Sequence, residues 1–351
     1  MIKVFDFFCG CGGTSAGFER AGLEIAVGID RDPDAAATFR RNFPEATLLL
    51  ADIGSLSTSA LGPLVPPSPR APLLFAGCAP CQPFSKQNRA RGEVDDARRP
   101  LLLDFLRFIE YFLPELVFVE NVPGLQRAGG APFAAFIAKL SELGYFHQVG
   151  RVDAARYGVP QRRLRLVMVA SRLGPIDIPK PTHGRGTRRR LRTVRDAIAH
   201  LPPVVAGETH NRIANHQAAN LSELNLERVR ATPVGGGRLD WPGRLQLHCH
   251  SSGHAGHTDV YGRLGWDEPA SCLTTRCISL SNGRFGHPVQ HRALTVREAA
   301  CLQTFPRGFR FEGSLQSTAR QVGNAVPVKL SEAFGLAFAE HVAYVGRTRT
   351  H

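Results

Sequence analysis

The chain has 351 residues, 43% of them hydrophobic, with a formal net charge of +13 and a sequence pI near 9.9. That length and apolar content fit one large domain plus a smaller one with a well-buried core, and no segment approaches the ~20 apolar residues of a membrane span. The opening strand leaves no room for a signal peptide, so a cytosolic, cytoplasmic chain is expected. Its eight cysteines then argue against a disulfide framework, and the basic balance suggests a polyanionic partner over the plainer reading of a generally basic proteome.

Residues 3–170 alternate strand and helix. Strands are predicted at Val4–Phe8, Glu24–Ile29, Thr47–Ala51, Leu73–Ala76, Leu116–Glu120, Phe146–Val152 and Leu164–Ala170, several as continuous apolar runs suited to burial on both faces. A helix from about Thr14 to Ala21 follows the turn Phe8-Cys9-Gly10-Cys11-Gly12-Gly13 and stops at Gly22. Leu102, Phe105, Leu106, Ile109, Phe112 and Leu113 share one helical face, as do Phe133, Phe136, Ile137, Leu140 and Leu143. Units of this kind build an α/β fold with a doubly wound, mostly parallel sheet. Ser57–Pro72, rich in Pro and Ser, reads as a surface loop.

The pattern stops near Ser171. Residues 172–292 carry 17 Lys and Arg against 9 Asp and Glu, Arg185–Arg195 holds six arginines, and seven of the 13 histidines fall between His200 and His257. This reads as a small irregular domain, with Trp241, Tyr261 and Trp266 as candidates for a modest core. Thr295-Val296-Arg297-Glu298 is a capping box opening a helix that ends before Phe305-Pro306, and a last apolar helix runs from about Val328 to Tyr344.

The glycine turn lets backbone approach a ligand. Ser15 stands where a dinucleotide fingerprint needs glycine, so a nucleoside cofactor without pyrophosphate fits better. Gly10, Gly12 and Gly13 would line it. Asp30, ending the second strand, is placed to hold ribose hydroxyls, and Asp52, after the third, to meet the adenine amino group. Cys81, in Gly77-Cys78-Ala79-Pro80-Cys81-Gln82-Pro83-Phe84-Ser85, lies beyond the fourth strand. Cys78-x-x-Cys81 also fits a redox pair. Pro80 and Pro83 beside Cys81, and a glycine turn foreign to a thioredoxin, favour a lone nucleophile. Only about 3% of an ordinary thiol is thiolate at neutral pH, so activation is required. Glu120, at the end of the fifth strand, is a candidate acid across the same crevice. Arg163 and Arg165 alternate at a strand start and are expected to share a face.

These residues resemble the cytosine-5 DNA methyltransferase family of bacterial type. The resemblance is carried by Asp6–Gly17, Pro80-Cys81-Gln82, Glu120-Asn121-Val122, Gln161-x-Arg163-x-Arg165, Arg292–Glu298 with Leu302–Pro306, and Gln321-Val322-Gly323-Asn324-Ala325-Val326-Pro327, in that order. Cys9 and Cys11 depart from the family's small or apolar residues.

The resemblance implies a Rossmann-like, S-adenosylmethionine-dependent fold divided into residues 1–171 (catalytic and cofactor domain), 172–291 (target-recognition domain) and 292–351 (late helix and C-terminal helix returning to the catalytic domain). It implies methyl transfer to C5 of a flipped-out cytosine in a specific double-stranded DNA sequence. Cys81 would add to C6, Glu120 hydrogen-bond N3 and the exocyclic amine, and Arg165 hold O2, with Arg163 beside it. Phe8 would stack on adenine, and Leu101 and Asn324 would line the cofactor pocket. Ser85–Arg99 would close on DNA, its basic side chains, Arg89 and Arg91 among them, meeting phosphates and Gln82 or Ser85 lying near the flipped nucleotide.

A cognate restriction endonuclease is admissible as a functional, not physical, partner, and a monomer is the default. His248-Cys249-His250 with His254 and His257 fits no standard zinc spacing, so no metal is expected. Three other readings compete: a tRNA cytosine-5 methyltransferase, whose Cys-Phe-Thr signature is missing here; a non-catalytic DNA-binding relative, which would lack Cys81 or Glu120; and a dithiol redox protein.

Overall fold

The computed structural model describes residues 1–65, 71–79, 101–126, 131–247 and 258–349. Each predicted apolar run becomes a strand: β1 Lys3–Phe7, β2 Glu24–Asp30, β3 Thr47–Leu50, β4 Leu73–Gly77, β5 Leu116–Asn121, β6 Phe146–Asp153 and β7 Leu164–Ser171. They form one sheet in the order β3-β2-β1-β4-β5-β7-β6. The first five in that order pair in parallel, and β7 runs antiparallel to both its neighbours. β4 and β5 are buried at every position, as strands covered on both faces must be.

Helices α1 Gly13–Arg20, α2 Pro33–Asn42, α3 Leu101–Phe112 and α4 Ala131–Glu142 fill the crossovers among the described residues. Gly22, at φ 83°, stops α1 as its left-handed cap residue. The helical period alone does not reveal α2. Its signal is local: Asp32 accepts from the Asp34 and Ala35 amides at the N-cap, and Pro33 opens the first turn. Within the expected surface loop 57–72, Thr58–Leu64 forms a 3₁₀ helix because Leu61 is fully buried.

The chain divides into two compact units. Unit 1 comprises Met1–Ala154, Leu164–Pro181 and Val326–His351; unit 2 comprises Ala155–Arg163 and Thr182–Ala325. In unit 1, one sheet face packs Phe5, Phe7, Phe75, Val117 and Val119 against Phe105, Phe108 and Phe136 of the helices. On the other face, Phe118 meets Phe18 of α1 and both Phe334 and Phe338 of α9 Val328–Arg349. Gly17 permits this: a Cβ there would sit 2.1 Å from Ser331 Oγ and 2.5 Å from the Val328 carbonyl.

Unit 2 contains α5 Val194–Ile198, α6 Glu223–Ala231, α7 Val296–Leu302 and α8 Leu315–Asn324. Its apolar cluster holds Val229, Trp241, Leu245, Tyr261, Leu280 and Ala293. Trp266 stands apart from it, under the Arg195 guanidinium and edge-on to His287. Phe305, Phe309 and Phe311 form a second buried group, and buried ions lie among these apolar side chains. Arg292 makes a two-pronged pair with Glu298 (2.7 and 2.8 Å), and Arg263 donates to the carbonyls of Val229, His287 and Gln290. The expected capping box is present, with Thr295 and Glu298 exchanging bonds. These contacts hold 292–325 within unit 2, so the compact units differ from the division expected at 291/292: only α9 joins unit 1. No helix among the described residues is long and apolar enough to cross a membrane.

Candidate active site

β7 is antiparallel to β5, so the start of one lies beside the end of the other. Glu120 is paired with Val167, and Arg165, two residues earlier on β7, shares its face. Arg165 Nε consequently lies 2.9 Å from Glu120 Oε1, both side chains being about nine-tenths buried. The contact is an ion pair by distance, yet among the described residues Oε1 receives no aligned hydrogen bond. A buried carboxylate oxygen in that condition has acceptor capacity left for another donor. On the opposite face, Asn121 Nδ2 donates to the Ala79 carbonyl at 3.0 Å. This ties the end of β5 to the chain just before Pro80-Cys81. Sequence reading gave Asn121 no task, although its place within Glu-Asn-Val was the available signal.

Cys78 Sγ is 3.5 Å from Thr14 Oγ1. Burial, reinforced by Glu120 and Asp6, pushes its thiol well above the ordinary range. It stays protonated at neutral pH, which argues against it as the attacking thiol of a dithiol pair. Cys81, Gln82, Ser85, Arg89 and Arg91 lie outside the described residues, as do His248, Cys249, His250, His254 and His257. Among the described residues, no group of three or more His, Cys, Asp or Glu side chains is arranged to hold a metal.

The glycine turn follows β1. Phe8 has φ 60°, a conformation costly to a bulky residue, while its ring packs at the edge of the core cluster. A Cβ on Gly10 (φ 53°) would meet nothing within 4 Å, so the backbone there is open to a ligand. Gly12 (φ 94°) is instead closed: its Cβ would lie 2.3 Å from the Phe43 ring. Gly13 begins α1, and its carbonyl accepts from Ser331 Oγ at 3.2 Å.

Asp30 ends β2 and accepts from the Gly10 and Asp32 amides, each at 2.8 Å. Burial raises its carboxyl above the usual range. Asp52 accepts from the Gly54 amide at 2.9 Å and pairs with Arg31 at 3.0 Å; these two partners, the amide foremost, hold it below that range. Leu101 opens α3, half-buried against the core. An open backbone turn bonded to the Asp30 carboxylate fits a nucleoside with hydroxyls and positive charge, and disfavours a phosphate.

Arg163 and Arg165 do not share a strand face. β7 begins at Leu164, and Arg163 belongs to unit 2. Its Nη1 donates to the Leu273 carbonyl and its Nη2 to the carbonyls of Gly323 and Ala325. Such buried carbonyls need a donor, and a guanidinium fork supplies several at once. Gln161 works alongside it, donating to Gln303 Oε1 and accepting from the Leu273 amide, both at 2.9 Å. Asn324 is the exposed last residue of α8, also in unit 2.

A family model described as C-5 cytosine-specific DNA methylase matches residues 2–339. Type II methylase M.HgiDII of Herpetosiphon aurantiacus is 39% identical over 334 residues, covering 93% of this chain and 92% of that protein. Type II methyltransferase M1.HphI of Haemophilus parahaemolyticus is 36% identical, covering 95% and 85%. Among solved structures, a prophage-encoded chain from E. coli superposes with a TM-score of 0.74 at 22% identity, covering 98% of this chain and 100% of that one. Spodoptera frugiperda DNMT2 gives 0.65 at 18%, covering 96% and 100%. At those identities the structural likeness concerns the fold, a Rossmann-like methyltransferase sheet.

Proposed function

This chain belongs to the C-5 cytosine-specific DNA methylase family and is a DNA cytosine-5-methyltransferase; from that premise we propose that it methylates C5 of a flipped-out cytosine in a specific duplex sequence, with S-adenosylmethionine as donor and a covalent bond from Cys81 Sγ to C6 as the intermediate. The observation that carries this reading is the buried Glu120 carboxylate, held by Arg165 at the end of β5 and keeping one oxygen without an aligned donor.

Cytosine C5 is a poor nucleophile. Addition of the Cys81 thiolate to C6 breaks the C5–C6 double bond and turns the ring into an enamine, electron-rich at C5. Negative charge develops toward N3, where Glu120 shares a proton and accepts from the exocyclic amine. Arg165 keeps the carboxylate in place and donates to O2. Transfer of the C5 proton of the methylated ring to water restores the C5–C6 double bond and returns the electron pair of the C–S bond to Cys81. The bound donor supplies a methyl group activated by a sulfonium. Gly10 gives it open backbone, Phe8 an aromatic face, Asp30 a ribose acceptor and Asp52 an acceptor for the adenine edge, with Gly13 and Leu101 completing the set within unit 1.

A base inside a duplex cannot reach a thiol, so it must swing out at a cost of a few kcal/mol. Gln82, Ser85, Arg89 and Arg91 are assigned to the DNA-facing loop. Target reading is assigned to residues 172–291, most of which lie in unit 2. Arg163 acts here through the carbonyls it ties together, not on the base. The two bacterial relatives are Type II enzymes, which supports a cognate endonuclease as a functional partner and the cytoplasm, at the nucleoid when on DNA, as the place of work.

Bisulfite sequencing of DNA from a host expressing the chain tests the reading, with 5-methylcytosine in one sequence context as the expected result. A duplex carrying 5-fluorocytosine in that context should become trapped on the wild type and not on Cys81→Ser, while Cys78→Ala still traps. Unmodified DNA from folded protein, or no trapping through position 81, refutes the mechanism.

A further inference from the structure

The six arginines of 185–195 separate into two classes in the folded chain. Arg190 makes a two-pronged pair with Asp196, both bonds 2.8 Å, and Arg192 approaches the same carboxylate at 3.7 Å. Arg195 grips Asp267 at 2.7 and 3.0 Å while lying over the Trp266 ring. These three are committed. Arg185, Arg188 and Arg189 are exposed, and among the described residues no ion pair or hydrogen bond engages their guanidinium groups. No acidic residue occurs between Asp177 and Asp196.

The backbone beneath those three side chains is fixed. Gly184 N donates to the Arg189 carbonyl at 2.7 Å, and Thr187 N to the Gly184 carbonyl at 3.0 Å. Thr187 Oγ1 lies 2.7 Å from the Gly184 carbonyl and 3.1 Å from that of Arg189. Arg156 clasps the loop from both ends: its carbonyl accepts from the Thr182 and His183 amides, and its Nη2 donates to the Arg185 carbonyl at 3.0 Å. Gly184 and Gly186, at φ 85° and 81°, make the bends that other residues resist. A six-residue loop pinned by these bonds thus presents three exposed cations that, among the described residues, no carboxylate answers, with no apolar residue among them.

We propose that Gly184–Arg189 is a preorganised clamp for the sugar-phosphate backbone of duplex DNA, contributing affinity without reading sequence. The proposal rests on the DNA-methylating reading above. Guanidinium forks match phosphate oxygens, and a prefixed loop loses little entropy on binding. Arg190, Arg192 and Arg195 brace the neighbouring segment and contribute little to binding.

The test uses the full chain, a fluorescein-labelled 30-base-pair DNA duplex of mixed sequence, and anisotropy titrations across a range of NaCl concentrations. Each phosphate neutralised contributes about 0.9 to the slope of log K against log salt. Replacing Arg185, Arg188 and Arg189 together by Gln should flatten the slope by about 2.7, and the triple Lys variant should restore most of it. Arg190→Gln should lower the thermal midpoint and leave the slope unchanged. Arg188→Gln alone, predicted to remove about 0.9, keeps the proposal testable should the triple variant misfold. An unchanged slope in folded triple or single variants overturns the clamp. So does an equal loss on Arg190→Gln, or a loss seen on a 30-base-pair RNA duplex and not on DNA. Methylation at saturating DNA should persist in the triple variant. A wild type that binds with the predicted slope yet never methylates would refute the catalytic reading and leave the clamp standing.

Discussion

Glu120 and Phe8 show how single residues are held in costly states at strand ends, and each carries a test of the role proposed for it. Glu120 is buried against Arg165, its Oε1 in ion-pair contact but, among the described residues, without an aligned hydrogen bond. Glu120→Gln keeps the shape and removes the exchangeable proton, so kcat should fall by about 10²- to 10⁴-fold with methyl-donor affinity by calorimetry unchanged. A loss confined to donor binding would contradict its placement at the base. Phe8 has φ 60°. Phe8→Gly relieves backbone strain of about 1–2 kcal/mol while forfeiting some packing, so the thermal midpoint should move little. The lost aromatic face should weaken donor binding by about tenfold. A stability loss without an affinity loss would make Phe8 merely structural.

Elements in this protein meet through backbone as much as through side chains. α1 and α9 close on one another because Gly17 has no Cβ, and in unit 2 a Cβ on Gly323 would lie 2.0 Å from the Thr274 carbonyl. Neither obstacle is a flexible side-chain tip alone, so Gly17→Ala and Gly323→Ala should each cost about 1–3 kcal/mol, the range for overpacking. Gly22→Ala is the control. It has open space but φ 83°, and should cost only about 1 kcal/mol. Urea midpoints decide the matter: if all three variants lose equally, close packing is not what these glycines provide. Asn121 works at the same scale, linking the end of β5 to the residue before Pro80, so Asn121→Ala should slow catalysis more than it lowers stability.

The molecule as a whole should answer pH through two groups of opposite sign, one in each unit. In unit 1, burial lifts Asp6 from 3.8 to about 7, with Asp30 adding and the Ser15 hydrogen bond opposing. The folded chain then keeps a proton that the unfolded chain releases, so this group's contribution falls as pH rises from about 4 to 7. In unit 2, burial lowers His287 from 6.5 to about 4, with Arg292 and Arg263 close by and Glu298 opposing. Here the unfolded chain takes up the proton first, and stability falls as pH drops from about 6.5 to 4. His341, also shifted down by burial, opposes Asp6 within unit 1, so differences between variants carry the test. Relative to wild type, Asp6→Asn should gain thermal stability from pH 5 to 7.5, and His287→Asn should gain from pH 7 to 5. Parallel pH profiles for the three proteins would remove both assignments.

Local features were legible in the sequence because each is fixed within a few residues. Continuous apolar runs such as those of β4 and β5 read as strands covered on both faces, Gly22 and the Thr295 capping box marked helix ends, and the glycine turn and Glu-Asn-Val announced themselves by type and spacing. Long-range pairing was not legible, and tertiary structure alone decided it. Arg163 and Arg165 look equivalent two residues apart, yet one cradles carbonyls from 110 and 160 residues away and the other faces Glu120 across an antiparallel strand pair. The six clustered arginines likewise divide by which carboxylates the fold brings to them. A side chain's type is written in the chain, but its partner is chosen by where distant segments meet, and that depends on the burial of the whole core.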